Sequence, residues 1–276
     1  MKIWHRTNLN PDAESLLQAE KVKYQRVYST VVPERVNSLL LDVAESDPAW
    51  PRISHLVKEK ETFVWTEFTS QEILNAEWLI IQAAHSIGYP APNNSSWSDL
   101  YIKARCVTCG VGWQQIAPFR VIKEPRIGRN AFASFWGAFE LFCTPEVLAA
   151  FEAEGIRGYE VWPLLLHKTG ESSQLLKQLM VPNIAQPAVE EEVAETERFC
   201  ETICPTCDQI WFSHYLRGMM PLRREALVPE VDFQLTHEWF GNGRTARREI
   251  PVSQKVARLV FDKKWRGLAL SPVNLV

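Results

Sequence analysis

At 276 residues, 46% hydrophobic and 23% charged, the chain has the composition of an ordinary globular protein, one large domain or two modest ones. A compact chain of this size buries roughly three quarters of its unfolded surface, so it does not need a metal merely to own a core. A formal charge of −3 and a pI near 6.1 argue against a chain given over to nucleic acid.

No apolar run approaches the roughly 18 residues of a membrane span. The start, Met1 to Arg6, turns polar at once and lacks a signal-peptide pattern. Six cysteines without a secretory signal read as thiols of a reducing compartment, so a cytoplasmic location is expected.

In chain order, residues 1–8 alternate as a short strand, and Asn10-Pro11-Asp12 opens a helix of about 12–24. Strand-like runs follow at Arg26 to Val32 and Leu39 to Leu41, with turns at Pro33 and at Asp47 to Pro51. Thr62 to Phe68 reads as a strand with Phe63, Trp65 and Glu67 on one face. Thr69 or Ser70 then caps a helix of about 71–87, rich in apolar residues and stopped by Gly88 and Pro90. The polar loop 90–98 is the expected domain boundary.

Next comes a pair of Cys-x-x-Cys knuckles. The first is Cys106-Val107-Thr108-Cys109, followed by Gly110; the second is Cys204-Pro205-Thr206-Cys207, followed by Asp208. Strands lead into and out of the first, as a zinc-knuckle hairpin requires. A Cys-x-x-Cys turn brings two sulfurs to one ion, and two such turns complete a tetrahedral set. Cys106, Cys109, Cys204 and Cys207 are therefore the expected ligands of a structural zinc ion. Four thiolates close the coordination sphere, whereas a catalytic zinc keeps an open position. Cys200 stands four residues before Cys204 and is a competing ligand; Cys143 reads as a small core residue.

Two stretches resemble each other. Thr144 and Pro145 begin a helix that ends near Gly155, reaches Arg157-Gly158 and continues as a strand, Tyr159 to Leu166. Ser253 begins a helix that reaches Arg266-Gly267 and continues as a strand, Leu268 to Val273. Each copy follows a knuckle, which suggests an internal pseudo-repeat. The expected fold is α+β: two similar strand–helix–strand units joined by a zinc-ribbon-like four-cysteine site, with an extra N-terminal α/β region. The expected divisions are 1–98, 99–167, an acidic linker at 168–198, and 199–276.

Signs of catalysis are missing from the sequence. The six histidines are scattered without metal-ligand spacing, and no nucleophile elbow or phosphate-binding loop appears. From Arg217 to Arg266, eleven Lys and Arg face six Asp and Glu, with aromatic residues interleaved. Such a stretch can grip single-stranded nucleic acid or an acidic protein surface.

The knuckles, Pro145-Glu146-Val147-Leu148, Glu154-Gly155-Ile156-Arg157-Gly158, and the ending Val256-Ala257-Arg258-Leu259 with Arg266-Gly267-Leu268 and Pro272-Val273 resemble the myxobacterial-type double-CXXCG motif family. The resemblance covers roughly residues 101–276. Asp208 departs from it, standing where the family has Gly, although Asp tolerates a positive-φ turn better than most residues. The resemblance implies a zinc-tied α+β protein, related to predicted immunity proteins that neutralise a bacterial toxin. The expected function is thus non-enzymatic binding of a protein partner, a cognate toxin, with a nucleic-acid-binding zinc ribbon as the alternative. Arg126, Arg129, Phe135 and Trp136, in and beside the 123–136 loop, are the expected partner anchors.

Overall fold

A computed structural model of the chain describes all residues except 59–61, 93–96, 104–105, 137–139, 190–200 and 242–245. Cys200 and the acidic residues of the expected linker at 190–198 lie outside the described residues. The chain forms two compact units. The first comprises residues 1–70 together with Leu216–Gly218, and the second comprises the rest.

The first unit holds strands β1 (Lys2–Leu9), β2 (Tyr24–Tyr28), β3 (Val36–Ala44) and β4 (Phe63–Glu67), and helices α1 (Glu14–Ala19) and α2 (Trp50–Lys58). The strands form an antiparallel sheet in the order β2-β3-β1-β4. Leu9, Leu39, Leu41 and Val43 from the sheet pack with Leu17 of α1 and Ile53 and Val57 of α2. The other sheet face carries Trp4 stacked on Trp65 at 5.9 Å, with the Arg6 guanidinium over Trp65. Leu216–Gly218 is fastened to this unit. Thr66 Oγ1 donates to the Leu216 carbonyl (2.9 Å) and accepts from the Gly218 N–H (2.7 Å), while Arg217 pairs with Glu45 at 2.9 Å.

Helix α2 replaces the turn expected around Pro51. Proline is tolerated there because it sits in the first helical turn, where its missing N–H has no helical partner to lose.

The second unit begins with the rest of helix α3 (Ser70–Asn75), followed by β5 (Trp78–Ala83), α4 (Trp97–Tyr101), β6 (Ile102–Lys103), β7 (Gln114–Gln115), β8 (Arg120–Val121), β9 (Phe132–Ala133) and β10 (Leu141–Cys143). Then come α5 (Pro145–Ala153), β11 (Glu160–Leu166), β12 (Ser172–Met180), β13 (Glu201–Ile203), β14 (Ile210–Phe212), β15 (Met220–Leu222) and β16 (Trp239–Phe240). It closes with β17 (Pro251–Ser253), α6 (Gln254–Asp262) and β18 (Leu268–Leu275).

The helix expected over 71–87 stops at Asn75, and Trp78–Ala83 is a strand in the middle of a sheet. Leu79 and Ile81 face one core while Ile80 faces another. A strand buried on both faces reads as a continuous apolar run, which periodicity alone does not separate from a buried helix. The expected boundary at residue 98 falls inside the second unit. Part of the expected 168–198 linker is β12, a central strand, with Leu176 and Leu179 buried. Tyr101 ends a helix and Ile102–Lys103 is extended, while the remaining two residues of the strand expected before the first knuckle, 104–105, lie outside the described residues.

Two sheets of this unit share one arrangement. Their orders are β8-β11-β12-β10-β9 and β15-β18-β5-β17. In each, the strand after the helix pairs antiparallel with a middle strand, which pairs antiparallel with the strand before the helix. A short parallel strand, β8 or β15, borders the other side. Phe132 bridges to Cys143 in one sheet as Phe233 bridges to Val252 in the other. Helices α5 and α6 cover a common core that includes Val147, Phe151, Val256, Val260, Phe132 and Phe233.

Thr144 and Ser253 take the N-cap positions with extended backbone, yet neither side chain caps its helix. The Ser253 hydroxyl instead donates to Asp232 Oδ1 at 2.5 Å.

Candidate metal centre

Each knuckle is a tight turn fixed by its own backbone. The Gly110 N–H donates to the Cys106 carbonyl and the Asp208 N–H to the Cys204 carbonyl, both at 2.9 Å. The residue after the second cysteine has a positive φ in both, 74° at Gly110 and 55° at Asp208. Asp208 therefore performs the glycine's conformational task, at the modest cost that a short polar side chain incurs in the left-handed region. The hairpin β6–β7 carries the first knuckle and β13–β14 the second.

The two turns meet. Cys106 Sγ lies 3.9 Å from Cys204 Sγ, and Cys109 Sγ lies 3.9 Å from Cys207 Sγ. All four sulfurs are within 4.8 Å of one another. A tetrahedron with metal–sulfur bonds of about 2.3 Å has edges of about 3.8 Å, so the two 3.9 Å pairs already match it and the set can hold one ion. Cys106, Cys109 and Cys204 are buried and Cys207 is exposed. Val111, Trp239 and Ala246 pack on the cluster, with Trp113 and Trp211 beside them. Trp113 is held by its N–H to the Ala246 carbonyl (2.7 Å) and by an edge contact with Trp239.

The thiols divide into two kinds. Backbone N–H groups of Cys109 and Thr108 lower the Cys106 thiol to about 6. The N–H groups of Thr206 and Cys207 lower Cys204 in the same way. Desolvation pushes Cys109 up to about 12. Cys207 is also raised: the Gln209 N–H pulls it down, but burial and the sulfurs of Cys106 and Cys204 outweigh that pull. Crowded thiols resist becoming four thiolates together, and a bound cation removes that resistance while expelling the remaining protons. The four cysteines can hold a metal ion, and all four ligand positions come from the protein. Cys143 stands apart, fully buried in the helix-covered core, where desolvation raises its thiol.

The expected partner anchors separate. Arg126 and Arg129 are exposed and Trp136 is 63% exposed, with Tyr89 in an edge contact at 6.2 Å. Phe135 is only 2% exposed and packs edge-on against Phe119 and Phe142. It is a core residue: backbone alternation turns it inward as Trp136 turns outward.

The basic stretch is largely committed to acceptors. Arg217, Arg224 and Arg247 face Glu45, Glu77 and Glu249, and Arg248 donates to the Thr236 carbonyl while lying 5.0 Å from the Trp239 ring centre. Among the described residues, no helix is long and apolar enough to cross a membrane.

A cavity of about 390 Å³ adjoins the cluster through Gly112, Trp113 and Trp239. Sequence reading missed it, because its walls come from segments more than a hundred residues apart. No protein-family model matches the chain, and a search of characterised proteins finds no match.

Proposed function

We propose that the chain is a non-enzymatic zinc protein that works by binding another protein, and that the partner is a bacterial toxin it neutralises. The observation that carries the zinc reading is the closed set of four cysteine sulfurs, whose spacing suits a tetrahedral ion and leaves no protein-side position for substrate. The matched sheet orders support reading the second unit as two related strand–helix–strand halves clasped by the metal. The immunity reading rests on the resemblance to double-CXXCG proteins. It is supported by an exposed aromatic–basic surface, Trp136 with Arg126 and Arg129, of the type that anchors tight interfaces. The nucleic-acid alternative is weakened by the ion pairs that occupy Arg224 and Arg247.

The test has two arms. Metal analysis of the purified chain should find one zinc per chain; a metal-free, stably folded preparation would sink the clasp. Pull-down from the native host should recover a toxin encoded beside this gene, and co-expression should protect cells from it. Protection that is absent, or that survives simultaneous alanine substitution of Arg126, Arg129 and Trp136, counts against that surface as the interface.

A further inference from the structure

We propose that residues 84–89, 126–136 and 262–267 form one basic face that receives a carboxylate-rich surface of a partner protein, an inference that rests on the protein-binding reading above.

Backbone hydrogen bonds zip the three segments together. The Ser134 N–H donates to the His85 carbonyl (2.9 Å) and the Trp136 N–H to the Gly88 carbonyl (2.7 Å). The Ala131 N–H donates to the Arg266 carbonyl (2.9 Å), and the Ala84 N–H to the Gly267 carbonyl (2.8 Å). The segments thereby gather Arg126, Arg129, Lys263, Lys264 and Arg266, all exposed. Among the described residues, none of these five side chains is in an ion pair or a hydrogen bond. The same segments carry Trp136 and Tyr89, 63% and 46% exposed and in edge contact.

Lys263 and Lys264 are the informative pair. In the first helix–Arg-Gly segment the same two positions are Glu154 and Gly155. The first of each pair closes its helix, and the second has a positive φ, 64° at Gly155 and 55° at Lys264. Glycine takes that conformation freely and lysine does not. The negative end of the helix dipole accounts for Lys263. A strained lysine where the other half keeps glycine points instead to a use for its charge.

The three segments hold five cations and one acid, Asp262, a net +4, so the rest of the −3 chain carries −7. An acidic patch of limited area on a folded protein complements such an island. A nucleic-acid strand would run past it onto a repelling surface.

The experiment uses the full metal-loaded chain, with fluorescently tagged poly-L-glutamate as probe and tagged oligo(dT) as the comparison. Poly-L-glutamate should bind saturably at low ionic strength and weaken as salt is added. The R126E/R129E/K263E/K264E variant should bind it at least tenfold more weakly, whereas K23E/R35E, on the first unit, should bind as the parent does. K264G should weaken binding about threefold, as one exposed charge pair contributes, yet raise the urea midpoint by relieving the strained turn. Absence of saturable binding overturns the proposal. So does parent-like binding by K264G or by the fourfold variant, or tighter binding of oligo(dT) that the same substitutions abolish. A toxin captured equally by the parent and the fourfold variant sinks this face but leaves the protein-binding reading standing. Failure to capture any toxin while poly-L-glutamate still binds counts against the toxin reading alone.

Discussion

A Cβ placed on Gly267 would lie 2.2 Å from the carbonyl oxygen of Phe132. The reciprocal approach exists: a Cβ on Gly158 would lie 2.3 Å from the carbonyl oxygen of Phe233. The residues before these glycines complete the exchange. Arg266 O accepts the N–H groups of Ala131 and Phe132, and Arg157 O accepts those of Asp232 and Phe233. Each Arg-Gly turn thus locks onto the backbone that leads into the other helix-bearing segment. Both glycines have positive φ, 89° and 98°, so two separate requirements exclude a side chain.

Gly267→Ala and Gly158→Ala should each destabilise by about 3 kcal/mol or more, combining backbone strain with steric overlap. Gly128→Ala and Gly170→Ala also stand at positive φ but meet nothing within 4 Å, so each should cost only about 1 kcal/mol. Urea unfolding midpoints decide it; equal losses at all four positions would show that the close approach carries no weight.

Replacing Cys106 or Cys204 by Ser should weaken metal binding by at least about 100-fold, beyond the loss seen when only an outer partner of a ligand is removed. Cys143→Ser should leave metal content unchanged, because Cys143 lies in the helix-covered core away from the cluster. Elemental analysis after dialysis against a mild chelator distinguishes these outcomes. Retention of metal by the Cys106 and Cys204 variants would remove them from the ligand set.

Adjacent residues Phe135 and Trp136 should respond oppositely to truncation. Phe135→Ala opens a cavity between Phe119 and Phe142 and should cost about 3–5 kcal/mol. Trp136→Ala should change stability by no more than about 0.5 kcal/mol. Chemical denaturation of the two variants checks the assignment of one to the core and the other to the surface.

Glu140 should make the protein less stable as pH rises. Its native-state value of about 7 stands above the ordinary 4.5, so between these values the native state holds a proton that the unfolded chain has released. Stability due to this group is full below about 4.5, declines through that window and levels off above about 7, a change on the order of 3 kcal/mol. Arg247 and Arg248 share the cavity wall and set the charge around it. The difference between parent and E140Q unfolding curves isolates the effect from the cysteine titrations. A flat difference across that window would contradict the burial of the carboxyl.

The cysteine cluster was legible because its signal is local. A Cys-x-x-Cys turn needs no knowledge of distant contacts, and two such turns have few partners other than each other. The likeness of the two helix segments was also legible, from Pro145 or Ser253 at the start to Arg-Gly at the end. Why those glycines must be glycines was not. Gly267 faces Phe132, 135 residues earlier in the chain, and no pattern along the sequence encodes that approach. The Trp78–Ala83 strand was obscured by burial on both faces, which erases the alternation that marks a strand. Glu140 carried no signal in the sequence, because the cavity it borders is lined by β7, β12 and residues around 247–250, which the chain brings together only on folding.

The fastening of Leu216–Gly218 onto the first unit has a consequence for how this protein can be dissected or recombined. A fragment ending at Ser70 retains every strand of that sheet and the His5–Glu45 contact, yet lacks the backbone partners of Thr66 and the Arg217 that pairs with Glu45. The complementary fragment would carry three residues whose docking surface had been cut away. Neither piece is a transferable cassette. A gene fusion or exchange that moves residues 1–70 alone transfers the sheet without its clip, whereas grafting the 216–218 tripeptide with it keeps the module whole.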